Sequence, residues 1–306
     1  MAEQGFTGII AAPHTPMNRD GSCALDRIPD QVQCLQANGV SGAFLCGSTG
    51  EGMALSVAER MAVADRWREE ADDDLKIFIH AGHHSIEESK RLARHAQQEI
   101  RADAIASVAP GYDKPETPRD LVAFCEQVSL AAPDTPFYYY HIPVKTDVPI
   151  SGSAFLLEAK ERIPALAGIK YSHSDMLDLG QCLDIAGDTL QVFFGQDENL
   201  LAALALGVHG AIGSTYNFAT PLYHRLIDAF QAGDLSTARA WQAKSRALAT
   251  VLHESRDIVG TKAAMRAIGI DCGPVRLPLR SLSEEEYKSF HVRLTDIGFF
   301  DYCSKV

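Results

Sequence analysis

The feature that most constrains the fold is an alternation of short β-rich runs with amphipathic helical patterns, repeated eight times before about residue 215. Strands are predicted at Phe6–Ile10, Gly42–Leu45, Lys76–Ile79, Ala104–Val108, Phe137–Tyr140, Leu166–Ile169, Gln191–Phe194 and Val208–Ile212. Helical patterns fill the intervals, and several begin at a capping residue, as at Ser56, Ser85 and Thr117. Strands that alternate with helices indicate βαβ units and a parallel sheet.

Eight such units in about 220 residues match the size of a closed (β/α)8 TIM barrel. A doubly wound open sheet is the alternative, but it carries a glycine-rich phosphate loop after its first strand. The first predicted strand is followed by Ala11-Ala12-Pro13-His14-Thr15-Pro16 instead, so we expect the barrel.

Beyond Thr215 only helical patterns remain, which predicts a barrel over residues 1–219 and a C-terminal helical region packed on it over 220–306. Helices are expected there at Thr220–Ala232, Ser236–Ser255, Thr261–Ile268 and Ser283–Leu294. Lys262 falls in the first turn of the third of these helices, so we expect it at the surface.

Composition narrows the class of partner. A net charge of −12 and a pI near 5.3 argue against nucleic acid and anionic membranes as main partners. The seven cysteines are scattered, without a C-x-x-C, which is typical of free thiols in a reducing compartment. No signal peptide or membrane-spanning run is predicted, so we expect a cytoplasmic protein that acts on a small molecule.

The sixth predicted strand is followed directly by an unusual residue, the lysine of Ala167-Gly168-Ile169-Lys170. In a TIM barrel the reactive groups lie at the carboxyl ends of the strands. Burial favours the neutral form of an amine, and a neutral amine is a nucleophile toward carbonyls. The alternative is a lysine that reaches solvent or pairs with Asp175.

The ends of two other predicted strands carry groups that suit such a nucleophile. Tyr140 ends the fifth strand, where it can relay protons or simply pack in the core; alternation puts it on one face with Tyr138. The second strand leads into Cys46–Gly52, where hydroxyls and backbone N–H groups can form a nest for a carboxylate or a plain tight turn. Tyr140 and Lys170 are 30 positions apart, one βαβ unit, so their strands should be neighbours. Together these groups favour Schiff-base chemistry on a 2-keto acid, with no cofactor.

A metal site is the competing hypothesis at the third strand, where His80-Ala81-Gly82-His83-His84 follows. The segment lacks the H-E-x-x-H pattern, and histidines at a strand end need not converge on one ion. We therefore expect no metal.

Three motifs together resemble the N-acetylneuraminate lyase / dihydrodipicolinate synthase family of class I pyruvate aldolases, from Gly8 to about Leu282. They are Gly47-Ser48-Thr49-Gly50-Glu51, Tyr140-His141-Ile142-Pro143 and Gly168-Ile169-Lys170, which match the family's G-[ST]-T-G-E, Y-x-[IV]-P and G-[ILV]-K. The resemblance implies a Schiff base on Lys170, a proton relay by Tyr140, and a pyruvate carboxylate held by Ser48 and Thr49. It also implies a homotetramer in which Tyr112 reaches the catalytic tyrosine across a subunit interface.

Within the family, the stretches around Tyr140, Asp175–Cys182 and Gly210–Asn217 resemble the lyases of N-acetylneuraminate, a sialic acid. That resemblance implies reversible cleavage to pyruvate and N-acetylmannosamine. It also implies contacts to the sugar from Ser172, Gly195, Asp197, Glu198 and Ser214.

The loop after Pro143 departs from the lyase pattern, because Lys145 falls where dihydrodipicolinate synthases carry arginine and Asp147 replaces a glycine. Lys145 could bind the carboxylate of an aldehyde partner or be a solvated loop residue, and Asp147 would oppose an anionic partner nearby. The alternatives are therefore dihydrodipicolinate synthase or another pyruvate-dependent aldolase and, in a different class, a non-catalytic barrel that binds sugar acids.

Overall fold

The computed structural model describes residues 8–208 and 210–306. Eight strands form a closed barrel in which each strand is bonded to its neighbour in sequence. They are β1 (Gly8–Ala11), β2 (Gly42–Leu45), β3 (Lys76–His80), β4 (Ala104–Val108), β5 (Phe137–His141), β6 (Leu166–Tyr171), β7 (Gln191–Phe194) and β8 (Gly210–Gly213). All registers described between these strands are parallel, and the predicted TIM barrel is confirmed. Parts of the first and last predicted strands, at residues 6–7 and 209, lie outside the described residues.

Helices follow the strands as expected and continue beyond the barrel. They are α1 (Ile28–Ala37), α2 (Val57–Glu70), α3 (Ile86–His95), α4 (Pro118–Ser129), α5 (Pro143–Thr146), α6 (Gly152–Ala159), α7 (Met176–Ala186), α8 (Leu200–Leu206), α9 (Thr220–Gln231), α10 (Leu235–Glu254), α11 (Ile258–Ala267) and α12 (Glu284–Asp296). Helix α11 begins three residues before the predicted start, which places Lys262 in its second turn. Within residues 8–208 and 210–306, no helix has the length and apolar character needed to cross a bilayer.

The helix starts predicted at Ser56 and Thr117 are confirmed by the caps. The Ser56 side chain accepts from the backbone N–H of Glu59, and the Glu59 carboxylate accepts from the N–H of Ser56, which is a reciprocal capping box. Thr117 and Asp120 repeat the arrangement at the start of α4. These contacts are local in sequence, which is why the pattern of residues alone predicts them.

Strand β5 shows how the barrel separates its two faces. The ring of Tyr138 packs inside the barrel between Phe78 and Phe193, with centroid distances of 5.8 and 5.5 Å. The next residue, Tyr139, points the opposite way and stacks on Phe155 of α6 at 4.1 Å. Because successive side chains of a strand point to opposite faces, the predicted sharing of one face by Tyr138 and Tyr140 is confirmed.

The chain divides into two compact units. The first unit comprises mainly Lys76–Gln196 and Ala203–Ile212, and it contains β3 to β7. The second unit comprises Ile9–Leu75, Asp197–Ala202 and Gly213–Val306, and it contains β2 and the C-terminal helices from α9 onward. A division of the chain at residue 219 into barrel and helical region stays a prediction.

Candidate active site

Lys170 and Tyr140 lie side by side in the first unit. Tyr140 of β5 is the register partner of Lys170 in β6, so the prediction that their strands are neighbours is confirmed. The Lys170 Nζ lies 3.6 Å from the centroid of the Tyr140 ring. Lys170 is only 4% exposed and Tyr140 only 3%, so the alternative in which Lys170 reaches solvent is wrong. Asp175, the other suggested partner, is instead the N-cap of α7.

The backbone of β6 is set close to β7 just before Lys170. A Cβ on Gly168 would lie 1.9 Å from the carbonyl oxygen of Gln191, so no larger residue fits there. The close approach fixes the strand two residues before the lysine, and alternation then gives Gly168 and Lys170 the same face. This is a physical reason for the glycine of the Gly168-Ile169-Lys170 motif.

Tyr140 has a second buried neighbour that the sequence indicated only as a possible metal ligand. The ring of His80, at the end of β3, meets the Tyr140 ring edge-on with centroids 5.9 Å apart. His80 is buried, as is the strand end that carries it. In the sequence, the position of His80 at the end of a strand was the feature that indicated a functional role. Among the residues described, no group of three or more His, Cys, Asp or Glu side chains is arranged to hold a metal ion.

The segment after β2 forms a compact turn in the second unit. The N–H of Glu51 donates to the Ser48 carbonyl at 3.1 Å, and the N–H of Gly52 donates to the Gly47 carbonyl at 3.0 Å. A Cβ on Gly52 would lie 1.8 Å from the carbonyl oxygen of Cys46, so a glycine is required. We call Gly47–Glu51 the Ser-Thr turn. Ser48 is half-buried in it and Thr49 is buried.

Ser172 and Gly195 lie against each other just beyond β6 and β7. A Cβ on Gly195 would lie 2.0 Å from Ser172 Oγ, so the glycine leaves room for the hydroxyl. Ser172 is 7% exposed, and within the described residues its Oγ has no hydrogen-bond partner. Buried hydroxyls normally have one, so this hydroxyl is suited to a ligand.

In the second unit, the Asp197 carboxylate accepts hydrogen bonds from the turn that follows β8. Its Oδ2 accepts from the Thr215 backbone N–H at 3.0 Å and from the Thr215 hydroxyl at 2.6 Å. Its backbone carbonyl accepts from Gln242 and Ser245 of α10. To the predicted contact with the sugar, the geometry adds a structural role for Asp197, because its carboxylate fixes the turn after β8.

The remaining predicted sugar-binding residues flank Asp197. Glu198 is half-buried, and burial together with the Asp197 charge raises the pKa of its carboxyl. Ser214 is half-buried, and its carbonyl accepts from the Asn217 side chain at 2.8 Å. Asn217 also donates to the Ala12 carbonyl at 2.7 Å, a role that the sequence did not indicate.

The residues that depart from the lyase pattern lie in the short helix α5 and just after it. Lys145 is exposed. Asp147 has a left-handed backbone with φ of 52°, which explains why a glycine suits this position. Its carboxylate pairs with Lys114, which lowers the pKa of Asp147. Its charge is therefore compensated. Tyr112, expected at a subunit interface, is 84% exposed.

The prediction that Lys262 lies at the surface is wrong. Lys262 is 3% exposed and its Nζ lies 2.9 Å from Glu51 Oε1. The apolar stripe of α11 contained the signal, because Val259, Lys262 and Met265 are spaced by three and share a buried face. Lysines near helix starts are usually exposed, and in α11 the buried face overrides that tendency.

Comparison with known proteins places these geometries in context. The model of the dihydrodipicolinate synthetase family matches residues 5–297. The chain is 40% identical to an N-acetylneuraminate lyase of Pongo abelii, over 96% of this chain and 93% of that one. The solved N-acetylneuraminate lyase of Proteus mirabilis superimposes with a TM-score of 0.93 at 39% identity, covering 96% of this chain and 99% of the other. The corresponding structure from Aliivibrio salmonicida gives 0.93 at 36% identity, with 96% and 97% covered.

Proposed function

Since this chain belongs to the dihydrodipicolinate synthetase family, we propose that it is a Schiff-base aldolase that cleaves N-acetylneuraminate reversibly to pyruvate and N-acetylmannosamine. The observation that carries the proposal is the buried amine of Lys170, held 3.6 Å from the ring of Tyr140 across two paired strands. The names of the similar proteins support the choice of sialic acid as substrate.

The proposed reaction begins with attack of the Lys170 amine on the C2 ketone of the open-chain sugar acid. Loss of water gives an imine, and its protonated form withdraws electrons from C3. The Tyr140 hydroxyl relays the proton of the C4 hydroxyl, accepting it as its own proton moves on, while the C3–C4 bond breaks and its electron pair forms the enamine. The aldehyde N-acetylmannosamine leaves, the relayed proton is delivered to C3, and water hydrolyses the resulting imine to pyruvate and the free amine.

In this proposal, the residues that bind the substrate come at or just after the carboxyl ends of the strands. Ser48 and Thr49 hold the pyruvate carboxylate, because the Ser-Thr turn offers hydroxyls and backbone N–H groups to an anion. Ser172, Gly195, Asp197, Glu198 and Ser214 face the sugar portion. The Ser172 hydroxyl supports this assignment, because it has no hydrogen-bond partner in the part of the chain that the structure describes, and a polyol supplies both donors and acceptors. Lys170 and Tyr140 are the proposed catalytic residues, and no cofactor takes part in the sequence of steps.

Trapping of the imine tests the function. The enzyme is treated with sodium borohydride in the presence of pyruvate or of sialic acid, and adducts are located by intact mass and peptide mapping. A reduced pyruvate adduct on Lys170 from both compounds is expected. An adduct from pyruvate alone would keep the aldolase chemistry but move the partner to other aldehydes, beginning with those bearing a carboxylate that Lys145 could bind. Binding of sialic acid without any adduct would favour the non-catalytic barrel.

The assembly and location form a further part of the proposal. We propose a cytoplasmic homotetramer, in which Tyr112 of one subunit contacts the catalytic tyrosine region of another. The exposure of Tyr112, at 84%, and the seven free thiols support this choice. Light scattering after gel filtration should give four times the monomer mass of 33.3 kDa, and a monomer would refute the assembly.

A further inference from the structure

The charged pair formed by Lys262 and Glu51 lies entirely within the second unit, and each side chain is 2% exposed. A buried ion pair is weak evidence for stability, because the loss of hydration of two charges offsets much of their attraction. Its presence therefore calls for another physical reason, and its surroundings supply one.

Lys262 has all three ammonium donors satisfied. Its Nζ lies 2.9 Å from Glu51 Oε1, 2.9 Å from the Thr15 carbonyl and 2.6 Å from the Pro274 carbonyl. One side chain of α11 thus ties together the segment after β1, the Ser-Thr turn and the segment that follows α11. An ammonium with three such acceptors has a fixed position.

Glu51 is the last residue of the Ser-Thr turn, and both of its carboxylate oxygens are engaged. Oε1 accepts from Lys262, and Oε2 accepts from the backbone N–H of Arg276 at 2.7 Å. The Glu51 backbone is left-handed, with φ of 55°, which is unfavourable for a residue with a side chain and persists only where the surroundings hold it. The ion pair supplies that support.

A second contact fixes the same turn from the Lys262 side. The hydroxyl of Thr15, whose carbonyl binds Lys262, donates to the Gly50 carbonyl at 2.7 Å. The residues on either side of the Gly50–Glu51 peptide link are therefore both attached to the network around Lys262. Ser48 and Thr49 come immediately before it.

We propose that Lys262 and Glu51 are positioning residues that hold Ser48 and Thr49 in the geometry that receives the carboxylate of a 2-keto acid. This inference rests on the proposed function, and it extends it to two residues that would not touch the substrate. The pair has no net charge, so it acts by geometry and not by attracting an anion. The α11 helix thereby takes part in recognition of the keto acid.

The test separates recognition of the carboxylate from formation of the imine. Lys170 is trapped with sodium cyanoborohydride, using pyruvate or acetone, which has the ketone without the carboxylate. In the Lys262→Met variant we expect the half-saturating pyruvate concentration to rise about tenfold to a hundredfold, because misplacement of donors by an ångström has effects of this size. The trapping rate with acetone should stay within about twofold of wild type, since no carboxylate has to be held.

Two further variants complete the test. Arg280→Met removes a cation from an exposed pair with Glu286 in the same C-terminal region and should leave both reactions unchanged. Glu51→Gln keeps the shape of the side chain and removes only its charge, so it replaces Lys262→Met if that variant fails to fold.

Each result of these experiments either supports or overturns the positioning role of Lys262 and Glu51. Unchanged half-saturation by pyruvate in a folded variant, equal losses with pyruvate and acetone, or failure of both variants to fold would overturn the positioning role. Failure of the wild-type enzyme to trap pyruvate on Lys170 would instead overturn the proposed function itself, together with the inference that rests on it.

Discussion

The two units of this protein each bury a lysine, and the surroundings of the two lysines differ. Lys170 and Lys262 are 4% and 3% exposed. Lys262 in the second unit has a carboxylate and two carbonyls on its three donors. Lys170 in the first unit lies over the face of a tyrosine ring.

The difference shows that burial alone does not separate a reactive lysine from a structural one. The three donors of the Lys262 ammonium are all taken by acceptors of neighbouring segments, as expected of a lysine with a structural role. Lys170 instead faces the ring of Tyr140, where the proposed function uses its amine as a nucleophile. Substitutions at the two lysines should therefore have different effects on activity and on stability.

Replacement of the reactive lysine should give the largest effect. Lys170→Ala is expected to lower turnover of sialic acid by roughly 10⁴-fold or more, because no other group forms the imine. Release of pyruvate measures the effect. Lys145→Ala, which removes an exposed lysine, is the matched control and should retain wild-type turnover if sialic acid is the substrate. Substantial turnover by Lys170→Ala would refute the mechanism.

Removal of the Tyr140 hydroxyl should separate imine formation from bond cleavage. Tyr140→Phe keeps the ring against Lys170 but loses the proton relay, so C–C cleavage should slow by about 10²- to 10⁴-fold while imine trapping persists. Single-turnover kinetics give both rates. Tyr139→Phe, on the opposite face of the same strand, should change neither. Equal cleavage rates in Tyr140→Phe and wild type would remove Tyr140 from the relay.

In contrast to activity, the free energy of unfolding should depend more on Lys262 than on Lys170. Lys262→Met leaves Glu51 charged and buried without its cation, which is expected to cost about 3–5 kcal/mol in the free energy of unfolding. Lys170→Met should stay within about 1 kcal/mol of wild type, because an active-site group adds little to stability. Denaturant unfolding measures both. Similar losses in the two variants would mean that the contrast drawn between the lysines is wrong.

Acid should destabilise both units through one buried histidine in each. Burial and the Lys262 charge lower the pKa of His14 from 6.5 to about 3, and burial lowers the pKa of His141 from 6.5 to about 4. Both rings stay neutral in the folded protein while the unfolded chain takes up protons, so stability present above pH 6.5 is lost as the pH falls from there toward 4. Each histidine contributes a slope of about 1.4 kcal/mol per pH unit in that window.

Unfolding free energies measured between neutral pH and the acid limit of the folded state check this expectation. His141→Phe keeps a ring against Tyr171, which lies 4.9 Å from the histidine, and should remove about half of the slope. A slope that His141→Phe leaves unchanged would show that folding does not lower the pKa of His141.

The smallest expected effect concerns the sugar. Glu198→Ala should raise KM for sialic acid about tenfold and KM for pyruvate in the reverse reaction much less, because the carboxylate is assigned to sugar hydroxyls. Initial rates in both directions measure the two constants, and the exposed Glu284→Ala serves as control. Equal changes in both constants would remove Glu198 from the sugar side.

Much of the fold followed from patterns that are local in the chain. The boundaries of β2, β4 and β7 agree with prediction to the residue, and the caps at Ser56 and Thr117 were expected. The prediction missed α5, because four residues carry too little periodicity to identify a helix. It also ended β6 one residue before Lys170, because a lysine was assumed to terminate a buried strand.

The sequence by itself determined the barrel and the pairing of Tyr140 with Lys170, because strand period and spacing between βαβ units are properties of neighbouring residues. Only the tertiary structure decided that His80 meets Tyr140 and that Lys262 is buried on Glu51. Those two charged residues are 211 positions apart, and no local pattern records a contact between them. Charged residues are ambiguous in a sequence for this physical reason: their role is set by the partner that folding brings to them.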